Sequence, residues 1–216
     1  MNSLVDAILI CLVLTNMMIL GSSRLGVYIR IVAVQGIMLS ILFLVDQNNS
    51  INSHTLFIAA VTMLIKGALF PWLLFRVVRD TGVKREIQPF VGFNFSLFIG
   101  MGVWAFSLWL GKKLPMPILQ ETDLIFPVAI FTAFVGMFLI MSRKTAITQV
   151  LGYLVLENGI YTFATAINSQ QPMVVELGIL LDIFVAVFIM VLTLFQINRE
   201  IGEIHMDTTK LAALKD

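Results

Sequence analysis

The sequence predicts an all-α protein, a polytopic transmembrane helix bundle of about seven spans by the length each span needs. Three observations carry that prediction. Of 216 residues, 59% are hydrophobic and 12% are charged, which is too apolar for an ordinary soluble domain. Apolar runs of about eighteen residues or more recur along the whole chain. Lys and Arg crowd into alternate loops, as they do in multi-pass membrane proteins. A β-barrel would require short alternating strands, and these runs are continuous and too long for that.

The spans follow one another with short breaks. The first is expected at 4–20, ended by GSSRLG, and the second at 27–45, followed by DQNNSINSH. The third, 55–78, contains LIKGALFPWLLFR and precedes RDTGVKREIQP. The fourth is expected at 90–110, before GKKLPMPILQETD, and the fifth at 124–141, before SRKTA. The last two form a pair over 145–196, interrupted by NSQQP. The chain thus reads as one membrane domain: spans one to five in 1–141, a helix pair in 142–197 and a tail in 198–216. The tail spaces Ile201, Ile204, Leu211 and Leu214 among charged residues, a pattern that fits a short amphipathic helix or a solvated end. The first span lacks a basic leader and a small-residue cleavage site, so it is expected to be retained.

Charge sets the expected orientation. Arg24, Arg30, Arg76, Arg79, Lys84, Arg85, Arg143, Lys144, Arg199, Lys210 and Lys215 fall on one side, and Lys112 and Lys113 on the other. The positive-inside rule places the rich side in the cytoplasm, with the N-terminus outside and the C-terminus inside. A net charge of +1 gives no reason to expect a nucleic-acid partner. The single cysteine, Cys11, excludes an internal disulfide and reads as a small apolar residue. Nucleotide loops, Cys/His metal spacing, paired haem ligands and serine nucleophile motifs are missing, so no redox chemistry is expected of this chain.

Three ionisable residues stand deep in apolar runs. From the helical rise, Glu157 and Lys66 lie roughly 16 Å, and Asp182 roughly 14 Å, from the start of their spans. All three therefore fall near the bilayer midplane, where a charge is costly and a functional role is the default reading. Desolvation favours the neutral carboxyl and a nearby ammonium favours the charged one, so Glu157, Asp182 and Lys66 within reach of one another form a candidate proton pathway. Glu176 is shallower, a competing carboxylate or a hydrated one. Gln149, Tyr153, Glu157, Tyr161 and Thr165 recur every four residues and form a slowly drifting polar stripe, which adds Tyr153 and Tyr161 to the pathway. Lys66 sits beside Gly67 and close to Pro71, where a break in the helix is expected.

Plainer readings stand beside this one. The three charges also fit a structural ion pair or triad, and Gln35, Asn16 and Asn94 read as interhelical hydrogen-bond partners. His54 and Asp6 read as residues at span ends. Trp72, Trp104 and Trp109 read as interface anchors, with Trp72 rather deep for that role. At the level of function, the alternatives are a stand-alone cation/proton secondary transporter and a structural scaffold subunit without a proton path. Internal repeats, frequent in transporters, are not evident.

The segments LENGIY and ELGILLDIFVAVFIMVL resemble component E of hydrogenase-4-type membrane complexes. That family belongs to the complex I-related assemblies, which include formate hydrogenlyases and other energy-converting hydrogenases. The last third is also similar to the small three-span subunit of complex I and of multisubunit cation/proton antiporters. The resemblance is most specific over 149–159 and 172–186. It implies that Glu157 is the first of two carboxylates in a central hydrophilic axis. Asp182 matches the second by depth, and Glu176 competes for that place. It further implies a non-catalytic membrane-arm subunit of an oxidoreductase in a prokaryotic inner (cytoplasmic) membrane. Antiporter-like membrane subunits, other membrane-arm subunits and a hydrogenase-like soluble arm would be its partners. No cofactor would lie in this chain, the nickel–iron centre and iron–sulfur clusters belonging to those partners.

Overall fold

The computed structural model describes residues 2–46, 53–81, 90–113 and 124–166, all built from helices and the turns between them. Helix α1 is Asn2–Gly21, α2 Leu25–Asp46, α3 Ser53–Leu64, α4 Phe70–Thr81, α5 Phe93–Lys113, α6 Ile125–Ser142 and α7 Ala146–Ala166. Among the described residues, five segments are long and apolar enough to cross a membrane: Ser3–Gly21, Leu25–Leu42, Ala59–Arg79, Phe93–Lys113 and Ile125–Ser142. The expected sixth span is α7, which is 21 residues long. It carries Gln149, Glu157 and Asn158 and is not among the five. The expected seventh span and the tail lie outside the described residues.

Short turns follow directly from the sequence. Gly21 and Ser22 end α1, and the Tyr28 hydroxyl donates to the Ser22 carbonyl at 2.7 Å, pinning the start of α2 to the turn. Pro127 stands in the first turn of α6, where its missing N–H would have had no partner anyway. The expected break in span three takes the form of a π-helical turn, Ile65–Leu69, between α3 and α4. The Phe70 N–H donates to the Ile65 carbonyl, five residues back. Pro71 has no N–H and its ring crowds the carbonyl of Gly67, and a widened turn accommodates both.

Helices α6 and α7 make the closest pair. A Cβ on Gly136 would stand 2.7 Å from the Gly152 carbonyl, one on Gly152 would stand 2.9 Å from Leu139 Cβ, and one on Gly159 would stand 3.0 Å from the Ala129 carbonyl. Backbone therefore meets backbone with no side chain between, the usual way membrane helices gain packing without a hydrophobic drive. Gly36 on α2 instead makes room for a side chain, since a Cβ there would stand 2.6 Å from Lys66 Cβ.

The apolar interior is divided. One cluster gathers Ile19, Leu25, Tyr28, Ile29, Phe70, Leu74, Val135 and Leu151. The other gathers Leu9, Leu12, Leu39, Leu42, Val128 and Tyr161. Helices α1 and α6 run from the second cluster to the first, while α2 and α7 run from the first to the second, so the neighbours are antiparallel. Between the clusters fall Asn16, Gln35, Glu157 and Asn158, all buried.

Arg143 is fully buried at 0% exposure, although the sequence reads it as a loop cation. Its guanidinium donates to the Leu20 carbonyl at 3.2 Å and to the Val91 carbonyl at 3.3 Å, and it lies 4.6 Å from the Phe93 ring centroid. The negative end of α1 takes the place of a carboxylate there, and the aromatic face adds to it. These bonds bring the α1–α2 and α6–α7 turns and the start of α5 to one end of the bundle. Lys112 and Lys113 end α5, whose Gly111 lies against Pro127 at the start of α6.

The expected tryptophan belt is corrected at one position. Trp104 is half-buried and packs edge-on against Phe131, with centroids 5.2 Å apart. Trp72 and Trp109 are exposed, with Arg76 and Lys113 over their rings at 5.8 and 4.8 Å. Asn94 is exposed on α5, because that face of the helix has no described neighbour.

Replacing Gly136 by Leu is expected to destabilise the chain by more than about 2 kcal/mol through overpacking, read from thermal unfolding in mild detergent. Among the described residues nothing lies within 4 Å of the Gly102 Cβ position, and Gly102→Leu is the matched control, expected not to destabilise the chain.

Candidate functional site: a buried ion pair in a polar layer

Lys66 and Glu157 meet. Lys66 Nζ stands 2.7 Å from Glu157 Oε1, and the two side chains are 7% and 3% exposed. Lys66 comes from the π turn and Glu157 from the middle of α7. Gly36 admits the lysine, because any side chain on that face of α2 would occupy the place of Lys66 Cβ. The Lys66 ammonium also lies 5.6 Å from the centroid of the Tyr161 ring, within cation–π range. The second oxygen of Glu157, Oε2, is buried and has no hydrogen-bond partner among the described residues.

A chain of neutral groups runs on from the pair. Lys66 Nζ is 3.5 Å from Asn158 Oδ1. Asn158 Nδ2 donates to Gln35 Oε1 at 3.4 Å. Gln35 Nε2 donates to Asn16 Oδ1 at 2.9 Å and to Thr15 Oγ1 at 3.0 Å. Asn16 Nδ2 donates to Thr132 Oγ1 at 2.8 Å, and that hydroxyl donates to the Val128 carbonyl at 2.8 Å. One connected set of polar groups thus links the π turn with α7, α2, α1 and α6. In a low-dielectric interior such a network is strong when satisfied and costly when broken.

The expected site residues divide into three groups. Glu157, Lys66 and Tyr161 come together. Tyr153 is half-buried and packs against the apolar cluster nearer Arg143. Asp182 and Glu176 lie outside the described residues, as does the side chain of Thr165. The polar stripe on α7 drifts as its spacing requires: Gln149 is exposed, Tyr153 half-buried, and Glu157 and Tyr161 buried. Each step of four residues turns the face by about 40°, which carries the stripe from the rim to the interior. Asn16 and Gln35 are interhelical partners, as expected. Their continuity with the ion pair, and the part of Thr132 in it, was not read from the sequence. The available signal was a polar residue near the middle of each apolar run. Among the described residues, no group of three or more His, Cys, Asp or Glu side chains converges on a point that could hold a metal ion.

Comparison with known proteins gives two kinds of likeness. The chain is 28% identical over 210 residues to an uncharacterized protein of Mycobacterium tuberculosis, covering 95% of this chain and 93% of that one. It is 34% identical over 103 residues to Hydrogenase-4 component E of Escherichia coli and to the protein of the same name in Shigella flexneri. That alignment covers 48% of this chain and 46% of those proteins, so the chain matches about half the length of these relatives. No family model matches the chain. No solved structure matches it either.

Removing one member of a buried pair leaves the other uncompensated. Lys66→Met is expected to destabilise the chain by about 3 kcal/mol, and adding Glu157→Gln is expected to recover most of that loss. Unfolding midpoints of the two single variants and the double variant test this, and strictly additive effects would show that the two residues are not coupled.

Proposed function

We propose that this chain is a membrane-arm subunit of a hydrogenase-4-like, complex I-like energy-converting oxidoreductase, and that Glu157 exchanges protons within it. The observation that carries this reading is the buried Lys66–Glu157 pair, with one carboxylate oxygen held and the other without a partner among the described residues. The likeness to Hydrogenase-4 component E over 103 residues supports the choice of complex.

The chemistry follows from the geometry. Oε1 is neutralised by the lysine at 2.7 Å. Oε2 is buried and accepts no hydrogen bond from the described residues, so it is the atom on which an arriving proton would settle. Protonation cancels the carboxylate charge and removes the attraction that holds the ammonium at Oε1. Lys66 is then favoured to shift away from Glu157 or to lose its own proton. One proton on Glu157 is thereby converted into a displacement of charge at the π turn, which is how a local protonation change can be passed to a neighbouring subunit. Tyr161, with its ring under Lys66, contributes to holding the ammonium.

In this reading the chain crosses the membrane seven times, with the N-terminus outside and the C-terminus in the cytoplasm of a prokaryotic cell. Asp182 and Glu176 would continue the path from Glu157, and Tyr153 would border it. Antiporter-like subunits would receive the protons or the coupling signal. A hydrogenase-like soluble arm, with its nickel–iron and iron–sulfur centres, would supply the redox energy.

The test is Glu157→Gln in the complex purified from native membranes. Coupled proton uptake is expected to fall by about a hundredfold, the scale of a lost acid–base group, with the subunit composition unchanged. Uptake at the wild-type rate in an intact complex would overturn the reading, and a chain that purifies without antiporter-like or hydrogenase-like proteins would remove its premise.

A further inference from the structure

The hydrogen-bond chain from Lys66 to α6 has a direction. Asn158, Gln35 and Asn16 each turn a carbonyl oxygen toward the Lys66 side and donate an N–H away from it. The two ends impose the same sense. Lys66 offers donors alone and demands an oxygen from Asn158. At the far end the Thr132 hydroxyl donates to the carbonyl four residues back on its own helix, a common choice for threonine in a helix. Its lone pairs are then left for Asn16 Nδ2. Turning over any one amide would set donor against donor or acceptor against acceptor in a buried place, at the cost of unmade hydrogen bonds.

We propose that Thr132 is a positioning residue for Lys66: acting through Asn16, Gln35 and Asn158, it fixes the Asn158 carbonyl oxygen as a second berth for the ammonium when Glu157 is neutral. This rests on the reading of Glu157 as a proton-exchanging group. The berth already stands 3.5 Å from Lys66 Nζ, against 2.7 Å for Glu157 Oε1. A small swing of a long, flexible side chain exchanges one for the other. Among the described residues, the titratable groups that meet here are Lys66 from the π turn and Glu157 and Tyr161 from α7. Helices α1, α2 and α6 contribute the neutral Thr15, Asn16, Gln35 and Thr132. A fixed acceptor therefore stabilises the state with neutral Glu157 and charged Lys66 more than it stabilises the ion pair.

The experiment uses the purified full chain in lipid nanodiscs and the infrared carboxylic C=O band of Glu157, identified as the band that Glu157→Gln removes. Thr132→Val is nearly isosteric and removes both the donor and the acceptor. It is expected to lower the ratio of neutral to charged Glu157 about tenfold at a given pH, the scale of one hydrogen bond to a charged group. Thr132→Ser keeps the hydroxyl and is expected to titrate as wild type. In a Lys66→Met background, Thr132→Val is expected to change nothing, because no ammonium remains to be placed. Should Thr132→Val not fold, Asn16→Leu cuts the same chain one link nearer and reads the same difference. A wild-type titration in the Thr132→Val chain overturns the proposal, and so does an effect that persists without Lys66. A wild-type chain with no such band at any pH overturns it as well, because the neutral state served by the second berth does not form. The readout is a protonation equilibrium in the isolated chain, so its outcome is separable from proton uptake by the complex.

Discussion

A lysine and a glutamate buried together constrain everything around them. Two charges moved out of water cost several kcal/mol each, and their attraction repays this only with close geometry and further hydrogen bonds. The geometry here is close, with 2.7 Å between Nζ and Oε1. Reaching it requires a π turn that projects Lys66 inward, a glycine at position 36 that lets it pass, and an α7 held tightly enough to present Glu157. The local irregularity of span three and the close packing of two other helices answer one electrostatic demand.

The same demand divides the interior. An apolar core would be continuous from one end of the bundle to the other if α1, α2, α6 and α7 carried only hydrophobic side chains at mid-height. Asn16, Gln35, Thr132, Glu157 and Asn158 interrupt it, and the two clusters lie on either side of them. The layer persists because its members satisfy one another across helices. The exception among the described residues, Glu157 Oε2, is the atom with capacity to spare, and a buried group that its described neighbours leave unsatisfied is where chemistry is to be sought. The outward faces follow a simpler rule. Helix α5 is 17% buried over its span and exposes Phe95, Phe98, Met101 and Phe106, apolar side chains suited to lipid or to another apolar helix.

Residue type and depth made part of the site legible. Lys66 and Glu157 were readable because a charge inside an apolar run is expensive wherever the helices go, and depth alone predicted that the two stand level. Tyr161 followed from the four-residue stripe. The stripe also named Gln149 and Tyr153, which lie toward the rim, because a spacing of four drifts around the helix and the sequence does not say where on the drift the interior begins. Arg143 misled for the opposite reason. A cation in a three-residue turn reads as solvated, and the groups that bury it, the end of α1 and the chain before α5, are distant in sequence. Asn94 was read as a partner by analogy with Asn16 and Gln35, and no described helix covers its face.

The sequence by itself determined that the chain is helical and apolar enough for a membrane, where its helices break, and which residues are too costly to be idle there. These are properties of single residues and of their spacing along one helix. The tertiary structure decided which partner each costly residue meets. Lys66 pairs with Glu157, the amides line up into one directed chain, and α6 lies against α7 backbone to backbone. Those choices belong to contacts between helices, and the periodicity of one helix records which face is polar but carries no information about what the neighbouring helix presents to it.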